Sequence, residues 1–361
     1  MNELLEENYN DGYYHLGKDL ESYPDAWCLA VWSRRGPGKT YSGLRYYLSR
    51  KLPFIYLKRT KEDVELICSR AYDLDLSPFK DINRDFNLNI RAIQIHKGFG
   101  AFYYCTDEDE PYGTPVAYIM ALNAVAKFKG FGLSECEAII FDEFVPQDGE
   151  LVRRAEGKQM LSLYMTVQRD RLKRGRQDLK LILFANSNEI STPCTEILEI
   201  VDDMADLQAR DGSHYYNEER RILLHRITES ECPMMQEEKS GIFAAMHNTA
   251  WGQEAFGGDF AANDFSNVQK TSLKRMQPQI KLHYKNNDWY IYYRESDGLY
   301  YMCKSPQKCQ LEFDLNKEND QKYFYLYYGI DLRNACIENR FKFQTYTMYN
   351  IIVNYKKFFN I

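Results

Sequence analysis

A glycine-rich segment near the start of the chain carries the residue types that bind phosphate. It consists of Ser33, Arg34, Arg35, Gly36, Pro37, Gly38, Lys39 and Thr40. It follows the apolar run WCLAVW and precedes a segment with helical spacing, which is the strand–loop–helix setting of a Walker A loop. Glycines let backbone N–H groups surround the phosphates, and the N-terminal end of the helix adds partial positive charge. We predict that this loop binds a nucleotide, with Lys39 at the β- and γ-phosphates and Thr40 at Mg²⁺.

The loop departs from the GxxxxGK[ST] pattern at one position. Ser33 stands where the first glycine is expected. A chance glycine turn is the alternative interpretation, but the flanking strand and helix favour the phosphate-binding loop. Arg35, inside the loop, is a further candidate for neutralising phosphate charge.

A second cluster of polar residues follows the apolar run AIIF. Asp142 and Glu143 end this run, which is the Walker B pattern. We expect Asp142 to support Mg²⁺ through its water shell. Glu143 has the chemistry of a general base that polarises the attacking water. Two solvated carboxylates at a strand end are common, but both motifs in this order favour hydrolysis of ATP or GTP.

The next apolar strand ends in the segment FANSN. Its last two residues, Ser187 and Asn188, are candidates for sensing the γ-phosphate. Asn and Ser are also favoured in turns that follow strands. The sequence leaves these two interpretations open.

A basic segment interrupts the acidic chain. It consists of Arg169, Asp170, Arg171, Leu172, Lys173, Arg174, Gly175 and Arg176. One interpretation is an arginine finger that reaches the γ-phosphate of a neighbouring subunit. A second is contact with a nucleic-acid backbone. A solvated helix face is the favoured interpretation for most of these residues.

Composition places the chain among ordinary globular proteins of about two domains, at ~150 residues each. Of its 361 residues, 44% are hydrophobic and 27% are charged. The net charge of -6 argues against a protein coated in nucleic acid, although a local basic groove is compatible with it. The nine cysteines show no paired CxxC spacing, which favours reduced thiols, and the six histidines show no metal-binding spacing. An acidic N-terminal segment and the absence of a long apolar run favour an intracellular, soluble protein without membrane contact.

The order of predicted elements indicates an α/β fold. Apolar strands alternate with helical segments over residues 1–207, which we predict to form the P-loop ATPase domain. Residues 88–95 and 101–106 have the pattern of a β-hairpin, and one helix is predicted over 195–207. Residues 208–275 lack a strong strand pattern and are predicted to form a linker subdomain. Residues 276–361 are predicted to form a smaller β-rich domain that opens with an aromatic meander.

Six segments together resemble a known family. They are SRRGPGKTYSGLRYYL, FIYLKRT, VAYIMALN, AIIFDEF, MTVQRDR and FANSNEIS. In this order they resemble the phage DNA encapsidation (packaging) ATPases of the terminase large-subunit group, in particular the compact type of small tailed phages. The resemblance is close over about residues 26–200 and looser beyond.

The resemblance carries expectations about fold, partners and residue roles. It implies an ASCE-type P-loop NTPase fold that works with ATP and Mg²⁺ as a homo-oligomeric ring, a pentamer. The ring would act at the portal of a preformed capsid, move double-stranded DNA, and reside in the host cytoplasm and transiently on the procapsid. Arg169 matches the arginine that acts in trans, and Ser187 with Asn188 matches the segment that couples hydrolysis to movement. The C-terminal domain would be RNase H-like, as a vestigial nuclease.

The residues themselves bear on the nuclease question. The carboxylates available for two-metal cleavage are Asp288, Asp297, Asp314 and Asp331. Asp288 and Asp297 occupy turn positions and not strand centres, so a non-catalytic domain that contacts DNA or the portal is favoured. The alternatives are a terminase with an active C-terminal metal-dependent nuclease, a non-packaging P-loop nucleic-acid ATPase such as a helicase, and a nucleotide-binding scaffold.

Overall fold

The computed structural model describes most of the chain. The described residues are 9–69, 76–128, 132–146, 150, 152–169, 171–186, 189–234, 239, 241–249, 252, 263 and 265–359. The chain divides into a larger unit, Met1–Ala262, and a smaller unit, Asn263–Ile361. The division therefore falls inside the predicted linker, 208–275, and the first residues of that segment belong to the larger unit.

The larger unit contains a nine-stranded sheet. Its strands are β1 (Cys28–Ser33), β2 (Phe54–Lys58), β3 (Ile90–His96), β4 (Phe99–Cys105), β5 (Pro111–Ala121), β6 (Ala138–Asp142), β7 (Lys180–Asn186), β8 (His214–Asn217) and β9 (Ile222–Arg226). The strand order is β3-β4-β5-β2-β6-β7-β1-β9-β8. Strands β5, β2, β6, β7, β1 and β9 run parallel, and antiparallel hairpins close both edges.

Short helices accompany these strands. They are α1 (Leu16–Ser22), α2 (Lys39–Ser49), α3 (Lys61–Ile67), α4 (Lys80–Phe86), α5 (Glu156–Gln168), α6 (Pro193–Ile197), α7 (Val201–Ala209) and α8 (Ile242–Met246). Two 3₁₀ turns cover Leu122–Lys127 and Leu172–Arg174. Across the residues that the structure describes, no helix combines the length and the apolar character needed to cross a membrane.

The central strands are buried because their sequences are continuous apolar runs. All six residues of β1 are buried, and β2, β6 and β7 are buried except at one or both ends. Such strands are typical of a parallel sheet that is covered on both faces. The carboxyl ends of β1, β7 and β6 lie side by side, since Ser33 pairs with Asn186 and Asp142 pairs with Phe184. The polar residues that follow these strands therefore meet at one edge of the sheet.

Most predicted elements of the front of the chain are confirmed, including the β3–β4 hairpin. The single helix predicted over 195–207 is wrong, because the segment forms two helices, α6 and α7. Glu199, between them, has a φ of 52°, and a left-handed residue ends an α-helix. Thr192 begins α6 with a capping box.

The predicted absence of strands after residue 211 is also wrong. Strands β8 and β9 form a hairpin, and β9 adds in parallel to β1. Strand β9 was missed because its sequence contains His225 and Arg226, which are polar although both are almost fully buried. His225 is buried against Asp19 of α1, and Arg226 pairs with Asp211 in the loop before β8. An apolar-run criterion does not detect such partners.

The smaller unit mixes strands and helices. Its strands are β10 (Gln277–Tyr284), β11 (Asn287–Arg294), β12 (Leu299–Cys303), β13 (Leu311–Asp314) and β14 (Phe341–Phe343), in the order β13-β10-β11-β12-β14. Its helices are α9 (Glu318–Tyr327), α10 (Gly329–Ile337), α11 (Tyr346–Ile352) and α12 (Tyr355–Phe359). The predicted meander is confirmed as β10–β12. The description of this domain as β-rich missed α9 and α10. The sequence of α9 is rich in tyrosine and phenylalanine, which are favoured in strands.

Candidate nucleotide-binding site

A cavity of about 310 Å³ lies at the edge of the sheet where β1, β6 and β7 end. This volume is within the range of small-molecule sites. Five residues of the glycine-rich loop line it, namely Arg35, Gly36, Gly38, Lys39 and Thr40. Asp142, Glu143 and Asn186 line the same cavity. The structure thus brings the two predicted motifs together around one space.

The loop backbone takes conformations that favour glycine. Gly36 has a φ of 104° and Gly38 a φ of 82°, both in the left-handed half of backbone space. Gly38 occupies the N-cap position of α2, so the helix begins at Lys39, and the first N–H groups of a helix have no partner within it. The carbonyl of Pro37 accepts a hydrogen bond from the N–H of Tyr14 at 2.9 Å, which fastens the loop to the N-terminal segment.

Lys39 is held at the base of the loop by oxygen atoms. Its Nζ donates to the Ser33 hydroxyl, to the carbonyl of Arg34 at 3.2 Å and to Asn186 Oδ1 at 3.4 Å. Burial lowers the pKa of Lys39 to about 8, and the nearby carboxylate of Asp142 partly opposes this. Ser33, which departs from the consensus glycine, therefore has a defined contact, because its hydroxyl accepts from the lysine.

Thr40 and Asp142 form the part of the site that suits a metal ion. Thr40 Oγ1 donates to Asp142 Oδ1 at 2.9 Å, and the hydroxyl of Tyr56 donates to Asp142 Oδ2 at 2.6 Å. Burial raises the pKa of Tyr56 well above its usual value, and the charge of Asp142 adds to this, so the phenol stays a donor. Sequence reasoning missed Tyr56, although its strand β2 lies next to β6.

Glu143 follows β6 in a turn with a left-handed backbone, at a φ of 57°. Its carboxylate forms an ion pair with Lys58, whose Nζ lies 2.9 Å from Glu143 Oε2. Arg59 stabilises the turn, because its guanidinium donates to the carbonyls of Glu143 at 2.8 Å and Phe144 at 3.2 Å. A non-glycine residue in this region is strained and persists where its surroundings fix it. The segment FIYLKRT thus supplies the residues that position the acidic motif.

Arg59 is itself anchored by two carboxylates. It forms ion pairs with Glu150 at 3.3 Å and with the buried side chain of Glu156. Glu156 is the first residue of α5, so the same guanidinium joins β2, the turn after β6 and the start of α5. Sequence reasoning did not single out Arg59, because nothing in its local pattern distinguishes it from a surface arginine.

Three residues of the predicted loop contribute in other ways. Ser33, Arg34 and Pro37 are not among the cavity-lining residues. Arg34 is buried and contacts residues after β9. Its guanidinium donates to the carbonyl of Cys232 at 3.3 Å and lies 3.5 Å from Glu229.

The basic segment divides into exposed and buried residues. Arg169 directly follows α5 and is exposed, outside the cavity lining. Arg171 is fully buried, so the expectation of a solvated face is wrong at this position. It donates to the carbonyls of Ser134 and Cys136, at 3.0 and 2.6 Å, and pairs with Glu137. Arg171 therefore fixes the loop that leads into β6.

Two predicted residues, Ser187 and Asn188, lie outside the described part of the chain. Their neighbour Asn186, the last residue of β7, lines the cavity and accepts from Lys39. The polar end of β7 therefore lies at the candidate nucleotide-binding cavity.

Comparison with known proteins gives matches among solved structures. No protein-family model matches the sequence, and no curated protein matches it. The structure of the bacteriophage Phi-29 viral genome packaging motor assembly matches with a TM-score of 0.64 and 18% identity, over 96% of this chain and 98% of that chain. The structure of the Phi-28 gp11 DNA packaging motor matches with a TM-score of 0.59 and 14% identity, over 93% and 95% of the two chains. The resemblance to phage packaging ATPases is therefore confirmed at the level of the fold.

Proposed function

We propose that this chain, which has the fold of phage packaging-motor proteins, is an ATPase that drives double-stranded viral DNA into a preformed capsid. The observation that carries the proposal is the meeting of Lys39, Thr40, Asp142 and Glu143 around one cavity of a fold shared over nearly the whole chain. The fold alone does not define the chemistry. The residues around the cavity are those of an ASCE-type P-loop NTPase.

The loop binds the phosphates of ATP in this proposal. Backbone N–H groups around Gly36 and Gly38 face the phosphate oxygens, and Arg35 adds positive charge at the same cavity. Lys39 exchanges its contacts with Ser33 and Asn186 for the β- and γ-phosphate oxygens. The partial burial of the lysine in an oxygen-rich pocket prepares it for that exchange.

Mg²⁺ fits the side chains beside the loop. Thr40 Oγ1 and Asp142 Oδ1 lie 2.9 Å apart and offer the oxygen ligands that this ion prefers. Thr40 would bind the ion and Asp142 would support it through its water shell. When bound, Mg²⁺ neutralises charge on the phosphate oxygens. Tyr56 holds the other oxygen of Asp142 and so orients the carboxylate.

Glu143 acts as the general base. Its carboxylate accepts a proton from the attacking water while the water oxygen bonds to the γ-phosphorus and ADP leaves. Lys58 is the ion-pair partner from which Glu143 turns toward the water. Arg59 holds the backbone of Glu143 in place throughout, since it contacts main-chain oxygens and not the carboxylate.

Arg169 completes the site from a neighbouring subunit in this proposal. Its exposure at the end of α5 and its position outside its own cavity lining support action in trans. Ser187 and Asn188 relay the state of the γ-phosphate. The assembly is a homo-oligomeric ring, a pentamer, that contacts double-stranded DNA and the portal and capsid proteins. It works in the host cytoplasm, transiently on the procapsid.

The smaller unit is proposed to be an RNase H-like domain without nuclease activity. Three of its four candidate carboxylates have local partners, and the fourth, Asp331, is exposed on α10. Asp288 Oδ1 lies 2.7 Å from His283 Nδ1, Asp297 pairs with Arg294, and Asp314 accepts from Asn316 at 2.9 Å. Two-metal cleavage needs carboxylates that converge. Metal-dependent nicking of a plasmid that Asp297→Ala or Asp314→Ala abolishes would instead identify an active nuclease.

The proposal is tested by ATP turnover as a function of protein concentration, with and without double-stranded DNA. For the wild type, turnover per chain is expected to rise with protein concentration and with added DNA. Arg169→Ala should abolish this rise while ATP still binds, and Arg174→Ala, in the same basic segment, should behave as wild type. Turnover that is independent of concentration, DNA and Arg169 would favour a non-packaging ATPase, and no turnover at all would favour a nucleotide-binding scaffold.

A further inference from the structure

Two histidines whose separation in the sequence matches no metal-binding motif lie next to each other on the β8–β9 hairpin. His214 and His225 are directly paired across the two antiparallel strands, so their side chains lie on the same face. Their rings are 3.8 Å apart between centroids, at an interplanar angle of 31°. His225 is almost fully buried, and His214 is partly exposed.

Two carboxylates bracket this histidine pair. Asp19, from α1, faces one nitrogen of each ring, at 2.8 Å from His225 Nδ1 and 3.4 Å from His214 Nε2. Glu231 faces the other nitrogens, at 3.4 Å from His225 Nε2 and 3.7 Å from His214 Nδ1. The ligand atoms of Asp19, His214 and His225 all lie within 4.8 Å of one another. Each imidazole thus has one nitrogen near Asp19, and its other nitrogen has a supporting partner, Glu231 for His225 and the Ser213 hydroxyl for His214.

We propose that Asp19, His214 and His225 bind a divalent transition-metal ion, zinc in the first instance. Two imidazole nitrogens and a carboxylate oxygen are a ligand set that zinc takes in proteins. Zinc binds such atoms at about 2.0–2.2 Å, so neighbouring ligands of a tetrahedral site lie roughly 3.3–3.6 Å apart. The two rings reach different oxygens of Asp19, His225 at 2.8 Å and His214 at 3.4 Å, and the three ligand atoms lie within 4.8 Å of one another. Binding one ion therefore requires small shifts of side chains that are already next to each other.

Glu231 has the position of an outer ligand partner. A metal-bound histidine characteristically donates its second N–H to a carboxylate, which fixes the tautomer and the ring orientation. Glu231 has this position for His225, whose Nε2 lies 3.4 Å from its Oε2, and the turn N–H of Thr228 donates to the same oxygen at 3.0 Å. The second nitrogen of His214 is instead hydrogen-bonded with the hydroxyl of Ser213, at 2.8 Å. The hydroxyl of Tyr14 donates to Asp19 Oδ2 at 2.9 Å and fixes the other carboxylate.

Charge balance favours a dication at this place. Asp19 is buried, and ionised Asp19 and Glu231 together bring two negative charges to the neutral rings. One divalent cation cancels both charges. The competing arrangement places a proton on His225 and cancels only one of the two negative charges. Protonation of both rings would cancel both charges, but like-charge repulsion between rings 3.8 Å apart disfavours it.

The protonated arrangement is the specific alternative. Burial alone would lower the pKa of His225, but Asp19 and Glu231 outweigh it and raise the pKa to about 9. Burial likewise opposes ionisation of Asp19, and the charge of His225 overcomes it and lowers the pKa of that carboxyl. A metal ion would displace the proton from His225, so the two arrangements exclude each other.

The site would join segments that support the nucleotide-binding loop. Helix α1 carries Asp19, and the N–H of Leu16 in that helix donates to Ser42 Oγ of α2 at 2.7 Å. The turn that carries Glu231 also receives Arg34 from the loop, through the carbonyl of Cys232. An ion at this point would therefore stabilise the larger unit behind the loop, as a structural site and not as part of hydrolysis.

The test measures zinc binding to the full chain after treatment with EDTA. Equilibrium dialysis against ZnCl₂, in excess Mg²⁺ to occupy the nucleotide site, is expected to retain one zinc per chain. His214→Gln and His225→Gln should lose this zinc, and Glu231→Gln should weaken affinity by about 10–100-fold. His283→Gln is the matched control, because His283 also pairs with an aspartate but belongs to the smaller unit.

Cobalt substitution identifies the ligands independently of the variants. Co²⁺ in the wild-type site should give visible bands of nitrogen and oxygen coordination, without the thiolate absorption that binding to the nine cysteines would give. Zinc should also raise the melting temperature of the wild type and leave that of folded His214→Gln unchanged. Substoichiometric zinc, thiolate bands, or equal binding by His214→Gln and the wild type would overturn the proposal and leave a proton-linked ion-pair cluster.

Discussion

At the residue scale, Lys39 and Glu143 have different proposed roles, one in nucleotide binding and one in hydrolysis. Lys39 belongs to the loop and donates to oxygens of Ser33, Arg34 and Asn186, whereas Glu143 lines the same cavity from the turn after β6. In the proposed mechanism the lysine acts on nucleotide binding and the glutamate on the chemical step. Their variants should differ in kind and not only in degree.

We predict that Lys39→Ala loses nucleotide binding together with turnover. Glu143→Gln should keep ATP binding and lose turnover by about 10²–10⁴-fold, the usual contribution of a general base. The measurements are binding of a fluorescent ATP analogue and steady-state phosphate release on folded proteins. Substantial turnover by Glu143→Gln would assign the base to another residue.

A second prediction at this scale concerns Arg59. Arg59→Met leaves the carboxylate of Glu156 buried without its ion-pair partner, so we expect unfolding free energy to fall by about 3–5 kcal/mol. Denaturant unfolding measures the change. Glu156→Leu added to Arg59→Met should recover part of the loss, because the apolar pair removes the unpaired charge.

The control for Arg59 is an arginine whose ion pairs are exposed. Arg84 pairs with Asp81 and Asp85 at the surface, and Arg84→Met should leave stability nearly unchanged. Equal losses for Arg59→Met and Arg84→Met would contradict the anchoring role. If Arg59→Lys loses more turnover than its loss of folded protein explains, the arginine also positions Glu143 for catalysis.

At the scale of elements, close packing fixes α5 against α6. A Cβ atom at Gly157 would lie 2.2 Å from the carbonyl oxygen of Pro193 and 2.7 Å from Ile197 Cγ2. The two helices therefore approach at a position where only glycine fits. Helix α5 begins at the ion pair with Arg59 and ends beside Arg169, so its placement affects both ends of the proposed mechanism.

We predict that Gly157→Ala destabilises the protein by about 1–3 kcal/mol or more, because the added methyl group must push a backbone carbonyl away. Gly132→Ala is the matched control, since a Cβ there meets nothing within 4 Å. Thermal unfolding of both variants measures the difference. A Gly157→Ala protein as stable as Gly132→Ala would show that α5 and α6 move apart easily.

At the scale of the whole molecule, the proposal requires that subunits complete one another. An Arg169→Ala subunit keeps its own Glu143, and a Glu143→Gln subunit keeps its own Arg169. If Arg169 acts in trans, each variant alone should lose activity, by about 10³–10⁵-fold for the arginine. Mixing the two should then create some complete sites at subunit boundaries.

We predict that ATP turnover of the mixture exceeds the sum of the separate variants, in the presence of double-stranded DNA. The measurement is phosphate release at fixed total protein over a range of mixing ratios. A mixture of Glu143→Gln with Lys39→Ala is the control that should stay inactive, because an Lys39→Ala site cannot bind nucleotide whichever neighbour it has. No gain on mixing with Arg169→Ala would indicate that Arg169 acts within its own subunit or not at all.

The sequence by itself determined the features that depend on near neighbours along the chain. The glycine-rich loop, the acidic end of β6 and the β3–β4 hairpin follow from residue spacing over a few positions, because backbone conformation and strand periodicity are local properties. The order of the motifs was sufficient to indicate a resemblance that the comparison with solved structures confirmed at the level of the fold. The same local rules missed α9 and α10, and in α9 the aromatic residues that favour strands lie within a helix.

Only the tertiary structure decided which distant residues meet. Strand order brings Arg59 under the turn of Glu143, and cross-strand register stacks His214 on His225 opposite Asp19. Arg171 lies in a basic run that is typical of a surface, yet it is buried because the loop before β6 offers it carbonyls and a carboxylate. The partner of a charged residue sets whether it can be buried, and that partner is chosen by the packing of elements far apart in the chain.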